Sequence, residues 1–291
     1  MEAFLARHQL PAAFIETATR YYMPFAEWLE QRLVVRNTPG FVLGINGAQG
    51  TGKTTLASFL RQYMRAEYGR SVAPMSIDDF YLAKAERDEL ALAVHPLLAT
   101  RGVPGTHDIE LGISIIDRLR SQQADEELAL PRFDKSMDDR KPERNWPVVQ
   151  GAVDLIILEG WCVGSTVCDV SRLSDPVNEL EANEDPQGDW RAYINMKLAT
   201  EYREFFERLD ALLFLEVPNF EVIYKWRLEQ EHKLRAASTP ASRGVLSDAE
   251  VARFIQHFER ITRNNLLTMP LSADAVIRLG DDHQGKAMRL S

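Results

Sequence analysis

Short apolar runs alternate with longer stretches of helical spacing along this chain. Five runs read as strands: Phe41–Asn46, Ser71–Ile77, Ala152–Leu158, Ala211–Val217 and Ala275–Leu279. Their near-continuous apolar character fits strands covered on both faces. Leu56, Phe59, Leu60, Tyr63 and Met64 mark a helix over Thr55–Tyr68, which Gly69 ends. Leu111, Ile115, Ile116 and Leu119 mark another. Val251, Phe254, Ile255, Phe258 and Ile261 mark a third, opened by a capping box of Ser247 and Glu250. Strands alternating with helices predict an α/β fold, a mostly parallel five-stranded sheet with helices on both faces. Residues 1–39 read as a helical N-terminal extension, closed by Thr38-Pro39-Gly40, ahead of one domain over 40–291. Two stretches are poor in core residues. Asp175–Asp189, within an insertion over about 170–190, is acidic and turn-rich and reads as solvated. Ala236–Gly244 is small and polar and reads as a mobile loop tip.

Composition narrows the classes. The chain has 291 residues, 45% of them hydrophobic, enough for a sizeable core. The net charge of −9 disfavours a nucleic-acid surface, although a local basic pocket for an anionic substrate remains compatible with it. Cys162 and Cys168 lack metal-ligand spacing and read as reduced thiols of a cytoplasmic protein. The first residues do not form a secretory signal, and no apolar run approaches the length of a membrane span.

The first strand leads into Gly47-Ala48-Gln49-Gly50-Thr51-Gly52-Lys53-Thr54, a complete G-x-x-x-x-G-K-[ST] phosphate-binding loop. Its glycines let successive N–H groups point at phosphate oxygens. Lys53 reaches the β- and γ-phosphates, and Thr54 offers a hydroxyl to Mg²⁺. Thr55 completes the candidate ATP-binding segment, at a helix N-terminus where backbone dipoles favour anions.

Three further features bear on what the nucleotide is for. Asp78 and Asp79 follow the second strand, where ligands of parallel sheets bind. Asp at such a place either caps a turn or accepts the proton of an alcohol during phosphoryl transfer. Glu159 ends the third strand, where a carboxylate can hold or orient Mg²⁺; Asp154 lies at the opposite edge. The run Tyr224–Arg235 carries Arg227, Lys233 and Arg235. It is either a solvated helix with i,i+4 pairs such as Glu229–Lys233 and Glu231–Arg235, or a lid over about 224–246 that closes on phosphates. No N-K-x-D motif supports a GTPase, and no L-S-G-G-Q motif supports a transporter ATPase. The residues alone point to a phosphate-loop kinase of a small molecule.

With these motifs the chain resembles the uridine kinase, pantothenate kinase and phosphoribulokinase superfamily, and within it the D-glycerate 3-kinase group. The likeness spans nearly the whole chain. It rests on Gly47–Thr54, Ser76–Tyr81, Arg101–Asp108, Pro131–Ser136 and Leu158–Trp161. The resemblance implies a P-loop NTPase fold with a lid, and ATP and Mg²⁺ as co-substrate and cofactor. It implies Asp78 as catalytic base, Glu159 near Mg²⁺, and Arg227 with the cations after it as the lid. Asp79, Tyr81, His107, Asp108, Arg132 and Lys135 become candidates for the acceptor, Arg132 foremost for its carboxylate. Asp108 also fits a helix N-cap. The implied reaction is phosphorylation of D-glycerate at its 3-hydroxyl. The alternatives are another acceptor, such as a nucleoside, pantothenate or a sugar, or a slow ATP-driven switch that binds a protein partner.

Overall fold

The computed structural model describes residues 2–237 and 246–291. The loop tip expected at Ala236–Gly244 lies almost wholly outside the described residues, and so does the side chain of Lys233.

The alternation of apolar runs becomes one central sheet. Its strands are β1 (Phe41–Gly47), β2 (Val72–Ser76), β3 (Leu155–Gly160), β4 (Ala211–Glu216), β5 (Ala275–Leu279) and β6 (Gly285–Leu290). Their order across the sheet is β6-β5-β4-β1-β3-β2. The first five are parallel, and β6 pairs antiparallel with β5. The sixth strand is an addition to the five expected. It escapes notice because it is an edge strand, half solvent-facing, with no apolar run.

Period-two alternation sends successive side chains to opposite faces. Leu43, Ile45, Ile157 and Leu213 enter one core, with helix α2 (Lys53–Tyr68) and the N-terminal helices. Val42, Met75, Ile156 and Leu158 enter the other, with helix α3 (Ile109–Ser121). The N-terminal segment is helical and packs as a layer of the first core. Helix α1 (Met23–Arg36) buries Phe25, Leu29 and Leu33 there. Phe4 and Tyr22 lie with ring centroids 5.9 and 5.7 Å from that of Phe59 on α2.

Most of the acidic stretch 175–189 is exposed, as its solvated reading expects, but Leu180, Glu181 and Asp185 are buried. Helix α4 (Glu179–Glu184) buries Leu180, and Glu181 is closed by Arg260, 2.5 Å away. Asp185 accepts the Trp190 amide at 2.9 Å and pairs with Arg191 at 3.0 Å. Glu181 and Asp185, read as solvated, are buried because arginines come to meet them, one from helix α6 (Asp248–Ser272), far along the chain. No helix among the described residues is long and apolar enough to cross a membrane. Both cysteines are buried and free.

Candidate active site

Parallel registry decides which loops meet. Glu159 on β3 lies between Ile45 of β1 and Ser76 of β2. The phosphate loop leaves β1 two residues beyond that level, and Asp78 and Asp79 follow β2 directly. Three chemically distinct segments therefore converge at the carboxyl edge of the sheet, where such folds bind ligands.

The loop has the backbone its sequence demands. Gly50 and Gly52 both take φ of +83°, a left-handed region that side chains rarely adopt. A Cβ at Gly47 would stand 2.6 Å from Thr51 Oγ1, so only glycine fits. The Thr51 hydroxyl and the Lys53 ammonium both donate to the Ala48 carbonyl, at 2.8 and 3.0 Å. Burial pulls the Lys53 ammonium below its ordinary range, opposed by Glu159 and Asp78. Lys53 is thus a cation short of counter-charge, and a phosphate group would supply it.

Thr54 donates to Glu159 Oε1 at 2.8 Å. Burial raises the carboxyl of Glu159, and Lys53 works against that rise. This pair fits Mg²⁺, which keeps several waters and takes one or two protein oxygens beside substrate phosphates. No cluster of three or more metal-ligating side chains exists among the described residues.

Asp78 accepts from Tyr81 Oη at 2.7 Å and from Lys135 Nζ at 2.6 Å. Burial pushes its carboxyl up, but Lys135 and the Tyr81 hydroxyl overcome this and hold it below the usual range. It is therefore ionised at neutral pH. Asp79 is held differently. It pairs with Arg132 at 2.7 Å and accepts the Phe133 amide at 3.3 Å. Burial raises its carboxyl despite Arg132. A short hairpin, Phe133–Asp134 with Asp139–Arg140, carries these cations to the two acids.

His107 stacks on Tyr81 with centroids 4.6 Å apart and bonds to Tyr202 through Nδ1 at 2.5 Å. The Tyr202 oxygen already accepts the Gly105 amide at 3.0 Å, so its hydroxyl proton points to Nδ1. The ring proton then resides on Nε2, a buried donor with no partner. Burial lowers His107 to about 4, so the ring is neutral. Asp108 serves as the N-cap of α3, accepting the Leu111 amide at 3.0 Å, and its other oxygen pairs with Arg140 at 3.1 Å.

In the cationic helix α5 (Phe220–Ala237), Arg227 and Arg235 are engaged elsewhere than on the loop. Arg227 pairs with the buried Glu231 at 2.7 Å, and Arg235 with Asp248 at 3.1 Å. The Glu231–Arg235 pair read from spacing gives way to these contacts. The residue of this helix that meets the loop is Trp226, which sequence reasoning missed. A Cβ at Gly50 would lie 3.1 Å from Trp226 Cβ. The indole donates to the Asp281 carbonyl at 3.0 Å and stacks on His283, centroids 3.9 Å apart. Tyr202, which sets the His107 tautomer, was also missed; a buried aromatic in a helical pattern carries no signal of such a role.

No protein-family model matches the chain. It is 36% identical to an uncharacterized kinase of Schizosaccharomyces pombe, mug58, over 225 residues, 75% of this chain and 78% of the relative. It is 28% identical over 255 residues to the chloroplastic D-glycerate 3-kinase of Arabidopsis thaliana, covering 82% of this chain but 52% of that protein. Among solved structures, a D-glycerate 3-kinase from Cryptococcus neoformans superposes with a TM-score of 0.75. That match covers 93% of this chain and 99% of the other at 23% identity, a likeness of fold. With the loop, the acid pair and Glu159 set around one sheet edge, the chain belongs to the glycerate kinase group of the ATP-dependent phosphate-loop kinases.

Proposed function

We propose that the protein transfers the γ-phosphate of ATP to the 3-hydroxyl of D-glycerate. The observation that carries this is the ionised Asp78, held by Lys135 and Tyr81 at the same sheet edge as Lys53 and the Thr54–Glu159 pair. A carboxylate so placed can orient an alcohol and take its proton as the phosphoryl group moves. The names of the Arabidopsis and Cryptococcus relatives support glycerate as the acceptor.

In this reading the nucleotide phosphates lie in Gly47–Thr55. Mg²⁺, held by Thr54 and by Glu159 directly or through water, offsets phosphate charge. Lys53 neutralises the group in flight. Asp78 takes the acceptor proton. Lys135 and Arg132 offer cations for the glycerate carboxylate, and the unpartnered His107 Nε2–H offers a donor for an acceptor oxygen. Asp79 and Tyr81 hold the first two groups in place. Asp108, occupied by its cap and Arg140, orients Arg140 and α3. Arg227, Lys233 and Arg235 belong to a lid, of which Arg227 and Arg235 must exchange partners to reach the phosphates.

The test is acceptor-dependent ADP formation from ATP and Mg²⁺, with D-glycerate beside L-glycerate, uridine, pantothenate and ribulose 5-phosphate. The expected result is turnover with D-glycerate alone and 3-phosphoglycerate as product. Turnover with another acceptor instead, or ADP release indifferent to every acceptor, would overturn the proposal.

A further inference from the structure

One sizeable cavity lies away from the phosphate loop. It measures about 530 Å³ and opens along the free edge of β2, between α2 and the ribbon that pairs 127–129 with 148–150. That volume is in the range of small-molecule sites. Arg61, Arg65, Arg70 and Arg132 stand around it, and Leu130 and Val153 contribute apolar surface. Four arginines about one cavity run against the charge of a chain that is −9 overall.

Their pairing is unequal. Arg70 is closed by Glu30 at 2.6 Å, and Arg132 by Asp79. Arg61 and Arg65, one turn apart on α2, are exposed, and their side chains make no ion pair or hydrogen bond among the described residues. Two unpaired guanidiniums at the rim of an open, partly apolar groove suit an anion with an apolar body. A peptide strand added to β2 is the less favoured occupant. Pro74 sits mid-strand at that edge, without an N–H to donate, and proline there discourages strand pairing.

We propose that this cavity binds a small organic polyanion, carboxylate or phosphate, and that its occupancy is felt at the acceptor site through Arg132. Arg132 lines the cavity and also pairs with Asp79, the neighbour of Asp78. An anion in the cavity competes with Asp79 for that guanidinium. The acceptor site then loses a cation, and acceptor affinity falls. The binding claim stands on the cavity alone; the effect on the acceptor rests on the kinase reading above.

The test uses the full chain saturated with Mg²⁺ and a non-hydrolysable ATP analogue, so that the phosphate loop is filled. Tricarballylate and phenyl phosphate are titrated calorimetrically as the carboxylate and phosphate probes. At least one should bind, and the double variant Arg61→Ala/Arg65→Ala should weaken that binding tenfold or more. Both arginines are exposed on the helix surface, so the fold and the basal turnover should be unchanged. In turnover assays the bound probe should raise the acceptor KM at least threefold in the wild type and leave it unaltered in the double variant. Binding of neither probe, or equal binding by wild type and variant, overturns the site. Binding that depends on the arginines with an unchanged KM overturns the coupling. Should no acceptor support turnover, the calorimetric arm still decides the site.

Discussion

Lys135 Nζ lies 2.6 Å from Asp78 Oδ2 across 57 residues of sequence. An exposed ammonium on a two-strand hairpin thus sets the charge of a carboxylate at the end of a core strand. Lys135 favours the ionised form, so its removal lets burial dominate and the Asp78 carboxyl rises. The Lys135→Met variant should lose activity most at low pH. The acid limb of its kcat/KM profile for the acceptor should move to higher pH. An acid limb unmoved by the substitution would show that Asp78 is not the group titrating there.

Asp78→Asn keeps the shape and removes the proton acceptor. Turnover should fall by roughly 10²- to 10⁴-fold, the usual contribution of a positioned acid or base. ATP affinity should persist, because Lys53, Thr54 and the loop backbone are untouched. Steady-state kinetics beside equilibrium ATP binding separate the two effects.

Glu159→Gln keeps the hydrogen bond with Thr54 within reach but removes the charge. The Mg²⁺ concentration for half-maximal rate should rise roughly 10- to 100-fold, as when groups supporting a metal site are lost. A Mg²⁺ titration of turnover reads this directly. An unaltered requirement would remove Glu159 from the metal site.

Burial depresses His107 and His257 to about 4 each, from an ordinary 6.5. The unfolded chain binds these protons more readily, so stability rises with pH between about 4 and 6.5 and is lost on acidification through that window. Each ring would account for about 3 kcal/mol at most across it. Denaturant unfolding at pH 7 and pH 5 should therefore differ, and His257→Phe should flatten the difference.

Arg260 closes the buried Glu181, whereas Arg253 pairs with Glu184 at an exposed site. Arg260→Ala should cost about 3–5 kcal/mol, because a buried carboxylate is left unpaired. Arg253→Ala should cost about 0–1 kcal/mol. Thermal unfolding of the two variants makes the comparison.

What could be read from the sequence follows how each feature is encoded. The five parallel strands are legible because both their faces are buried, so each is an unbroken apolar run. β6 is half solvated and has no such run. Lys53, Thr54, Asp78 and Glu159 are legible because strand ends position them, and strand ends can be counted. The partners that tune them are not. Tyr202 reaches His107 over 95 residues, and Arg260 reaches Glu181 over 79. Side-chain contacts at such separations leave no periodicity. Arg227 shows the reverse case: its charge is plain in the sequence, but its partner Glu231 is decided by burial.

The contact of Trp226 with Gly50 has a mechanical consequence. One ring is wedged against the phosphate loop, stacked on His283 and tethered to the Asp281 carbonyl. The proximal two turns of α5 are therefore anchored to the very backbone that curls around phosphate. Any excursion of the helix has its pivot beyond Trp226, with the distal turns as the lever arm. The phosphate loop and the start of the lid helix therefore share one packed unit, joined through a single indole.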